Sequence, residues 1–269
     1  MKEIINSNPD IDIKEDEYIR LLGYPPNYRL EGRSKELANW ARNCYNENGK
    51  PWIYGVPAKT LDTSNGKLLI NNIEFSSKKL LKQLKDSDSQ SAMLVAVSAG
   101  TECENKTREL WDEGKPDEYF FLEVFCSAVV EHLITTTGFI FCEQGEKDRF
   151  AVLPHYSPGY PGWAIKDQHK LLDLIKQNNN FPGEISVLET GMLNPKKSLL
   201  ALFGITNHLD RVKNLHELIS CETCCLRSCQ YRKSPFRQYH FQIEDIRNLQ
   251  TSNNKKVNHS NNANIILQS

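Results

Sequence analysis

Residues 155–163 read HYSPGYPGW, and we call this segment the Pro-Gly loop. Two prolines and two glycines among nine residues predict a stiff, sharply turned loop, because proline fixes φ and glycine allows positive φ. Gly159 has no side chain, so a ligand could approach its backbone closely. The rings of Tyr156, Tyr160 and Trp163 could stack on a planar heterocycle or attract a cation such as a sulfonium. The alternative is a structural loop whose aromatic rings fill the edge of the core.

The chain as a whole has the composition of an ordinary globular protein. It has 269 residues, with 33 Lys and Arg, 34 Asp and Glu, and a formal net charge of −1. This balance argues against a nucleic-acid partner, and no uninterrupted apolar run approaches the roughly 20 residues of a membrane span. Met1 to Asp12 is polar and acidic, unlike a secretory signal. We therefore expect a cytoplasmic protein whose 8 cysteines are thiols or metal ligands rather than disulfides.

Helical and extended segments alternate along the chain. An apolar stripe with the i, i+3, i+4, i+7, i+8 spacing predicts a helix over 34–49, and its members are Leu37, Trp40, Ala41, Cys44 and Tyr45. The other predicted helices cover 13–22, 76–85, 101–114, 117–137 and 167–177, and the extended segments cover 52–56, 67–75, 93–98, 150–153, 185–193 and 198–206. Hairpin-like spacings beside strand–helix alternation predict a mixed α+β domain.

The same patterns predict how the chain is divided. Residues 1–12 are expected to be disordered, and residues 13–210 to form the globular domain. A Cys-rich segment follows at 211–240, and the tail at 241–269 is expected to be mostly disordered. The end of that tail is rich in Asn, Ser and Lys and has little to bury.

Four cysteines are concentrated near the end of the predicted domain. They have the spacing C-x-x-C-C-x-x-x-C and are Cys221, Cys224, Cys225 and Cys229. Four thiols this close could reach one ion or cluster, and the flanking basic residues would favour the thiolate form that metals need. Zinc and an iron–sulfur cluster both remain open, as does a set of unligated thiols.

Weaker signals lie elsewhere in the chain. Glu131 on the long helix could accept hydrogen bonds from a ligand if it faces inward, or is a solvated residue if it faces outward. Gly100-Thr101 opens a helix whose N-terminus could hold an anion, although a plain turn is the simpler interpretation. The signatures G-x-G-x-x-G, H-E-x-x-H and G-x-S-x-G and the P-loop are absent from the sequence.

Two motifs together carry a resemblance to a known family. Residues 157–161 read SPGYP, and residues 186–198 read SVLETGMLNPKKS. They resemble the R-x-x-P-G-Y-P loop and the L-T-E-S-x-x-M-x-P-x-x-S strand pattern of the reactivation, or S-adenosylmethionine-binding, domain of cobalamin-dependent methionine synthase. The helix from Phe121 to Leu133 is similar to that family's Ala/Glu-rich helix. The cysteine cluster followed by Tyr231-Arg232 resembles a free-standing subgroup, mostly from anaerobes, that lacks the other synthase modules.

The resemblance implies a fold and an activity. The fold would be a C-shaped α+β domain with a central twisted antiparallel sheet and flanking helices. S-adenosylmethionine would bind in a shallow groove facing the corrinoid of a partner. Reactivation would couple one-electron reduction of inactive cob(II)alamin to methyl transfer from S-adenosylmethionine. The chain would thus be a reactivation subunit of a methyltransferase system. Its partners would be a corrinoid-binding methionine synthase protein and an electron donor such as flavodoxin or ferredoxin.

The resemblance also implies a set of site residues. Tyr160 would stack on or line the ligand, the backbones of Ser157 and Gly159 would contact it, and Glu131 would face it from the helix. The family's loop arginine falls on His155, which would meet the ligand carboxylate. The family's acidic residue six positions earlier falls on Arg149, which could take over carboxylate recognition. The full candidate set is Glu131, Arg149, His155, Tyr156, Ser157, Pro158, Gly159 and Tyr160.

Three functions remain open at this stage. The first is reactivation of a separate methionine synthase, with the cysteine cluster holding an iron–sulfur centre that passes an electron to cob(II)alamin. The second is reactivation of another corrinoid methyltransferase. The third is a non-catalytic metal-binding module that only docks on a corrinoid protein.

Overall fold

A computed structural model describes residues 1–25, 27–178 and 180–212. The four cysteines of the cluster lie outside the described residues. So do the tail at 241–269 and all of the Cys-rich segment beyond residue 212.

The predicted helices are present, but the predicted extended segments 67–75 and 185–193 each form two short antiparallel strands rather than one. The helices are α1 Glu15–Leu21, α2 Gly32–Asn48, α3 Lys78–Asp86, α4 Thr101–Asp112, α5 Pro116–Asp148 and α6 Gln168–Ile175. The strands are β1 Ile4–Asn6, β2 Trp52–Pro57, β3 Leu61–Asp62, β4 Leu68–Ile70, β5 Ile73–Phe75, β6 Ser91–Ser98, β7 Ala151–Val152, β8 Ser186–Val187, β9 Leu193–Asn194 and β10 Ser198–Thr206.

A curled antiparallel sheet forms the centre of the domain, with strand order β1-β2-β6-β10-β7. One face packs against α1, α2, α4 and α5, and the other is covered by α3, α6 and the small sheet β3-β4-β5. The predicted α+β fold, with a central antiparallel sheet and flanking helices, is confirmed.

Strand β6 shows why the central segment is continuously apolar. Met93, Val95 and Val97 enter the core on the α5 side. Between them, Ala92, Leu94 and Ala96 enter the core on the α6 side. Successive side chains of a strand point to opposite faces. A strand covered on both faces therefore needs apolar residues at every position rather than at alternate ones.

Helix α5 is the long central helix, and it is longer than predicted. The sequence predicts an end at residue 137, but the helix continues to Asp148. The ring of Phe141 packs on Phe203 of β10 at 5.2 Å, which buries the extra turns against the sheet. By length and composition α5 would suit a membrane span, but half of its most apolar 18-residue window is buried in this domain.

The N-terminal segment is part of the sheet. The prediction that residues 1–12 are disordered is wrong for Ile4–Asn6, which pairs antiparallel with β2 as an edge strand. Gly55 of β2 makes room for this pairing, since a Cβ at that position would lie 2.9 Å from the Ile4 side chain. The carboxylate of Glu3 accepts a hydrogen bond from the Tyr54 hydroxyl and ties the strand down further.

A disulfide joins α4 to α5 through Cys103 and Cys126. The prediction that the cysteines are thiols or metal ligands is wrong for this pair, because the packing of two sequential helices brings the two side chains together. Cys44 and Cys142 are free thiols.

Candidate functional site

Two consecutive tight turns build the Pro-Gly loop. The Tyr160 amide donates to the Ser157 carbonyl at 3.0 Å, and the Trp163 amide donates to the Tyr160 carbonyl at 2.9 Å. Each turn has proline in its second position and glycine in its third. Gly159 and Gly162 adopt φ of 95° and 86°, which makes both turns type II. The predicted stiff loop is therefore confirmed, and Tyr160 is the corner that the two turns share.

The loop is attached to the edge of the central sheet. Tyr156 and Leu202 of β10 exchange two backbone hydrogen bonds of 2.9 Å. At the other end, Trp163 forms an isolated antiparallel bridge with Ser77, the residue that caps α3. The turns are thus held by backbone contacts on both sides.

Two of the three aromatic rings are not available to a ligand. Tyr156 and Trp163 are buried and stack on each other, with ring centroids 6.2 Å apart and an interplanar angle of 6°. The Trp163 indole also donates to Asp167 at 3.1 Å, and the Lys79 ammonium lies 5.5 Å from the Tyr156 ring. The structural alternative therefore applies to these two residues, which fill the edge of the core.

The third aromatic residue belongs to a polar pair. The Tyr160 hydroxyl lies 3.1 Å from Nε2 of His155, and both side chains are half-buried. The imidazole lies 5.8 Å from the ring of Phe203, on the α5 side of the sheet. This pair places a phenol and an imidazole beside the exposed turn at Gly159.

Ser157 and Gly159 differ in what they offer a ligand. Ser157 carries a hydroxyl that can still form a hydrogen bond, and Gly159 leaves space beside its backbone. Ser157 is fully buried, and its hydroxyl has no hydrogen-bond partner among the described residues. Buried hydroxyl groups are normally paired, so this one marks a place where a partner is needed. Gly159 is exposed, and the atoms nearest to an added Cβ are those of Ile165 at 3.8 Å.

Ile165 also joins the two motifs that the sequence analysis singled out. An added Cβ on Gly191, which lies between β8 and β9, would meet Ile165 at 3.3 Å. Ile165, Leu188 and Met192 are 40%, 47% and 52% exposed, and we call them the apolar rim of the loop. Sequence reasoning missed this rim, since exposed apolar residues have no periodic signal.

The structure does not bring all the predicted site residues together. Arg149 ends α5 in a left-handed conformation, and Glu131 lies 18 residues earlier on that helix. At 1.5 Å per residue these two are about 27 Å apart. Phe141, whose ring contacts Phe203 beside His155, lies about 15 Å from Glu131 along the axis. By the same measure Arg149 lies about 12 Å from Phe141, so neither residue adjoins the loop along the helix axis, and the two cannot contact one small group of a ligand together.

Metal ligands are not assembled in the part of the chain that the structure describes. Residues 1–25, 27–178 and 180–212 contain no group of three or more His, Cys, Asp or Glu side chains placed to hold an ion. The cysteine cluster lies outside these ranges, so its metal remains a prediction.

Comparison with known proteins supports the fold. No protein-family model and no curated protein matches the chain. Among solved structures, the crystal structure of the MetH reactivation domain bound to AdoHcy is similar, with a TM-score of 0.57. The similarity covers 78% of this chain and 78% of that chain, at 11% sequence identity. The chain therefore shares its architecture with a reactivation domain that has been crystallised with a nucleoside ligand.

Proposed function

We propose that this chain binds S-adenosylmethionine at the Pro-Gly loop and acts as the reactivation subunit for a separate cobalamin-dependent methionine synthase. One observation carries the proposal. The rigid double turn carries the half-buried His155–Tyr160 pair and lies at the edge of the central sheet. The fold that contains this sheet is similar to that of the MetH reactivation domain bound to AdoHcy.

The residues of the loop suit such a ligand in different ways. Gly159 leaves its backbone open to close approach, and the Ser157 hydroxyl, which has no hydrogen-bond partner among the described residues, supplies a polar group beside it. Tyr160 presents the half-buried ring that a sulfonium or an adenine would contact. Glu131 would accept hydrogen bonds from the end of the ligand distant from the loop.

Recognition of the ligand carboxylate would fall to His155. Its imidazole can donate one hydrogen bond, whereas a guanidinium would donate two in a fixed fork. Arg149 ends α5, about 12 Å along the helix axis from Phe141, and it is not part of the loop to which we assign the ligand. We therefore expect weaker binding than an arginine in the loop would provide.

The corrinoid would be supplied by the partner protein. S-adenosylmethionine, when bound, supplies the methyl group that the reduced cobalt accepts. This chain holds the ligand and excludes water, and the apolar rim of Ile165, Leu188 and Met192 offers the partner a surface beside the ligand. In this scheme the cysteine cluster acts as the one-electron relay.

Calorimetry with S-adenosylmethionine tests the binding step. The wild-type chain should bind, and Tyr160→Ala should weaken binding at least about tenfold without unfolding the protein. Tyr28→Ala is the matched control, because Tyr28 is an exposed tyrosine that stacks on Tyr24 in the α1–α2 connection. Equal affinities for the two variants, or no binding to the wild type at millimolar ligand, would contradict the proposal.

Reconstitution tests the reaction. The chain should restore methylcobalamin on an inactive cob(II)alamin methionine synthase only when a reductant and S-adenosylmethionine are both present. Anaerobic purification followed by EPR and metal analysis tests the relay. Stoichiometric zinc without iron would leave the cysteine cluster a structural role.

A further inference from the structure

The disulfide between α4 and α5 is buried inside the domain. Cys103 is 3% exposed and Cys126 is 0% exposed, and their Cα atoms are 6.8 Å apart, within the span that a disulfide bridges. The bond closes a chain segment with a sequence separation of 23 residues. It therefore links two helices that are consecutive in the chain and packed side by side.

Helix α4 has fewer buried side chains to hold it in place than helix α2, so the disulfide contributes more to its attachment. Its buried residues are Cys103, Thr107 and Leu110, a single narrow stripe on 12 residues. The hydroxyl of Thr107 bonds to the carbonyl of Glu104 within the same helix, so it does not hold α4 to α5. Helix α2, on the same face of the sheet, buries five side chains without a covalent link. Of the three buried residues of α4, Cys103 is thus the one that is covalently fixed to α5.

Two further attachments of α4 are more exposed. Near the first turn, the carboxylate of Glu104 accepts the Lys196 amide at 2.8 Å. At the last turn, Trp111 packs edge-on against Tyr119 at 5.2 Å. After reduction these contacts would keep α4 in place, but the first turn that carries Cys103 would no longer be covalently fixed to α5.

We propose that Cys103 and Cys126 form a reversible thiol–disulfide modification site that sets how firmly α4 is held on α5. The co-reactant is a dithiol. Reduction breaks the single S–S bond and leaves a proton and an electron on each sulfur, while the dithiol loses two electrons and two protons and closes its own disulfide. Because both sulfurs are buried, exchange proceeds only when α4 opens from α5, so the site responds slowly in the folded protein.

Dithiothreitol is the probe. Peptide mapping of the air-oxidised chain without reductant should recover the peptides of Cys103 and Cys126 as one linked species. Reduction should separate them and lower the melting temperature by about 6–12 °C, given the usual effect of opening a loop of this length in a domain of this size. Hydrogen exchange in α4 should rise at least about tenfold, while exchange in the Pro-Gly loop stays unchanged.

Two variants make the result specific. C103S/C126S should behave as the reduced wild type, and dithiothreitol should produce no further change in α4. C44S removes a buried free thiol from α2 and should retain the full response to dithiothreitol. Absence of the linked peptide, or reduction that leaves exchange in α4 unchanged, would overturn the proposal.

Discussion

The two glycines of the Pro-Gly loop allow conformation and ligand contact to be tested separately. Gly159 and Gly162 occupy the third position of the two type II turns, with φ of 95° and 86°. An added Cβ meets no atom closer than 3.8 Å at either position, so alanine fits sterically at both. Holding an L-residue in a left-handed conformation costs about 1–2 kcal/mol. Gly159→Ala and Gly162→Ala should therefore each lower the melting temperature by about 2–8 °C.

The two variants should differ in ligand binding. The Cβ of Gly159→Ala stands where we place S-adenosylmethionine, whereas that of Gly162→Ala points toward Lys79 on α3. Calorimetry should show affinity reduced at least about tenfold for the first variant and within about threefold of wild type for the second. Thermal melts followed by circular dichroism measure the stability cost. Similar melting temperatures with equal losses of affinity would place the ligand elsewhere, and an unchanged melting temperature would refute the turn assignment.

Further predictions concern the surroundings of the loop and the thiols. Tyr160→Phe removes the hydroxyl that is hydrogen-bonded to His155, so the free energy of unfolding in urea should fall by about 0.5–1.5 kcal/mol. Calorimetry should show that this variant retains most of the ligand affinity. Asp167→Ala removes a buried carboxylate that accepts from an indole and a backbone amide and pairs with an ammonium. Asp167→Ala should lower the free energy of unfolding in urea by about 2–4 kcal/mol, whereas Asp173→Ala on α6, the helix that follows Asp167, should change it by less than about 0.5 kcal/mol. Burial, helped by a nearby glutamate, raises the pKa of the Cys142 thiol to about 11. The thiol has the lower pKa in the unfolded chain and therefore ionises there first as the pH rises. The free energy of unfolding should thus be constant below about pH 9 and fall between pH 9 and pH 11. Cys142→Ser should show a shallower fall over that range in melts at fixed ionic strength.

Local signals predicted the elements whose own residues decide their structure. The apolar spacing from Leu37 to Tyr45 predicted a helix over 34–49, and α2 spans Gly32–Asn48. The stiff, sharply turned Pro-Gly loop was predicted from its prolines and glycines alone. The predicted start at residue 34 is two residues late, because α2 begins at Gly32 and Glu31 precedes it.

Long-range packing explains what the sequence did not predict. Helix α5 runs past its predicted end because the sheet buries Phe141, a contact that no local pattern contains. The edge strand β1 forms because Gly55 leaves room for Ile4. The burial of Tyr156 against Trp163 likewise depends on where α3 and β10 meet the loop, so composition could not separate core rings from ligand-facing ones.

The attachment of the Pro-Gly loop to β10 has a consequence for self-association. β7 covers only Ile205 and Thr206 of the outer edge of β10, and the segment that leads into the loop takes up the positions at Gly204 and Leu202. An exposed strand edge is a template for pairing with another chain. A variant that unfolds the loop would expose these backbone groups and promote aggregation. Light scattering on each loop variant therefore distinguishes a loss of ligand contact from a loss of soluble protein.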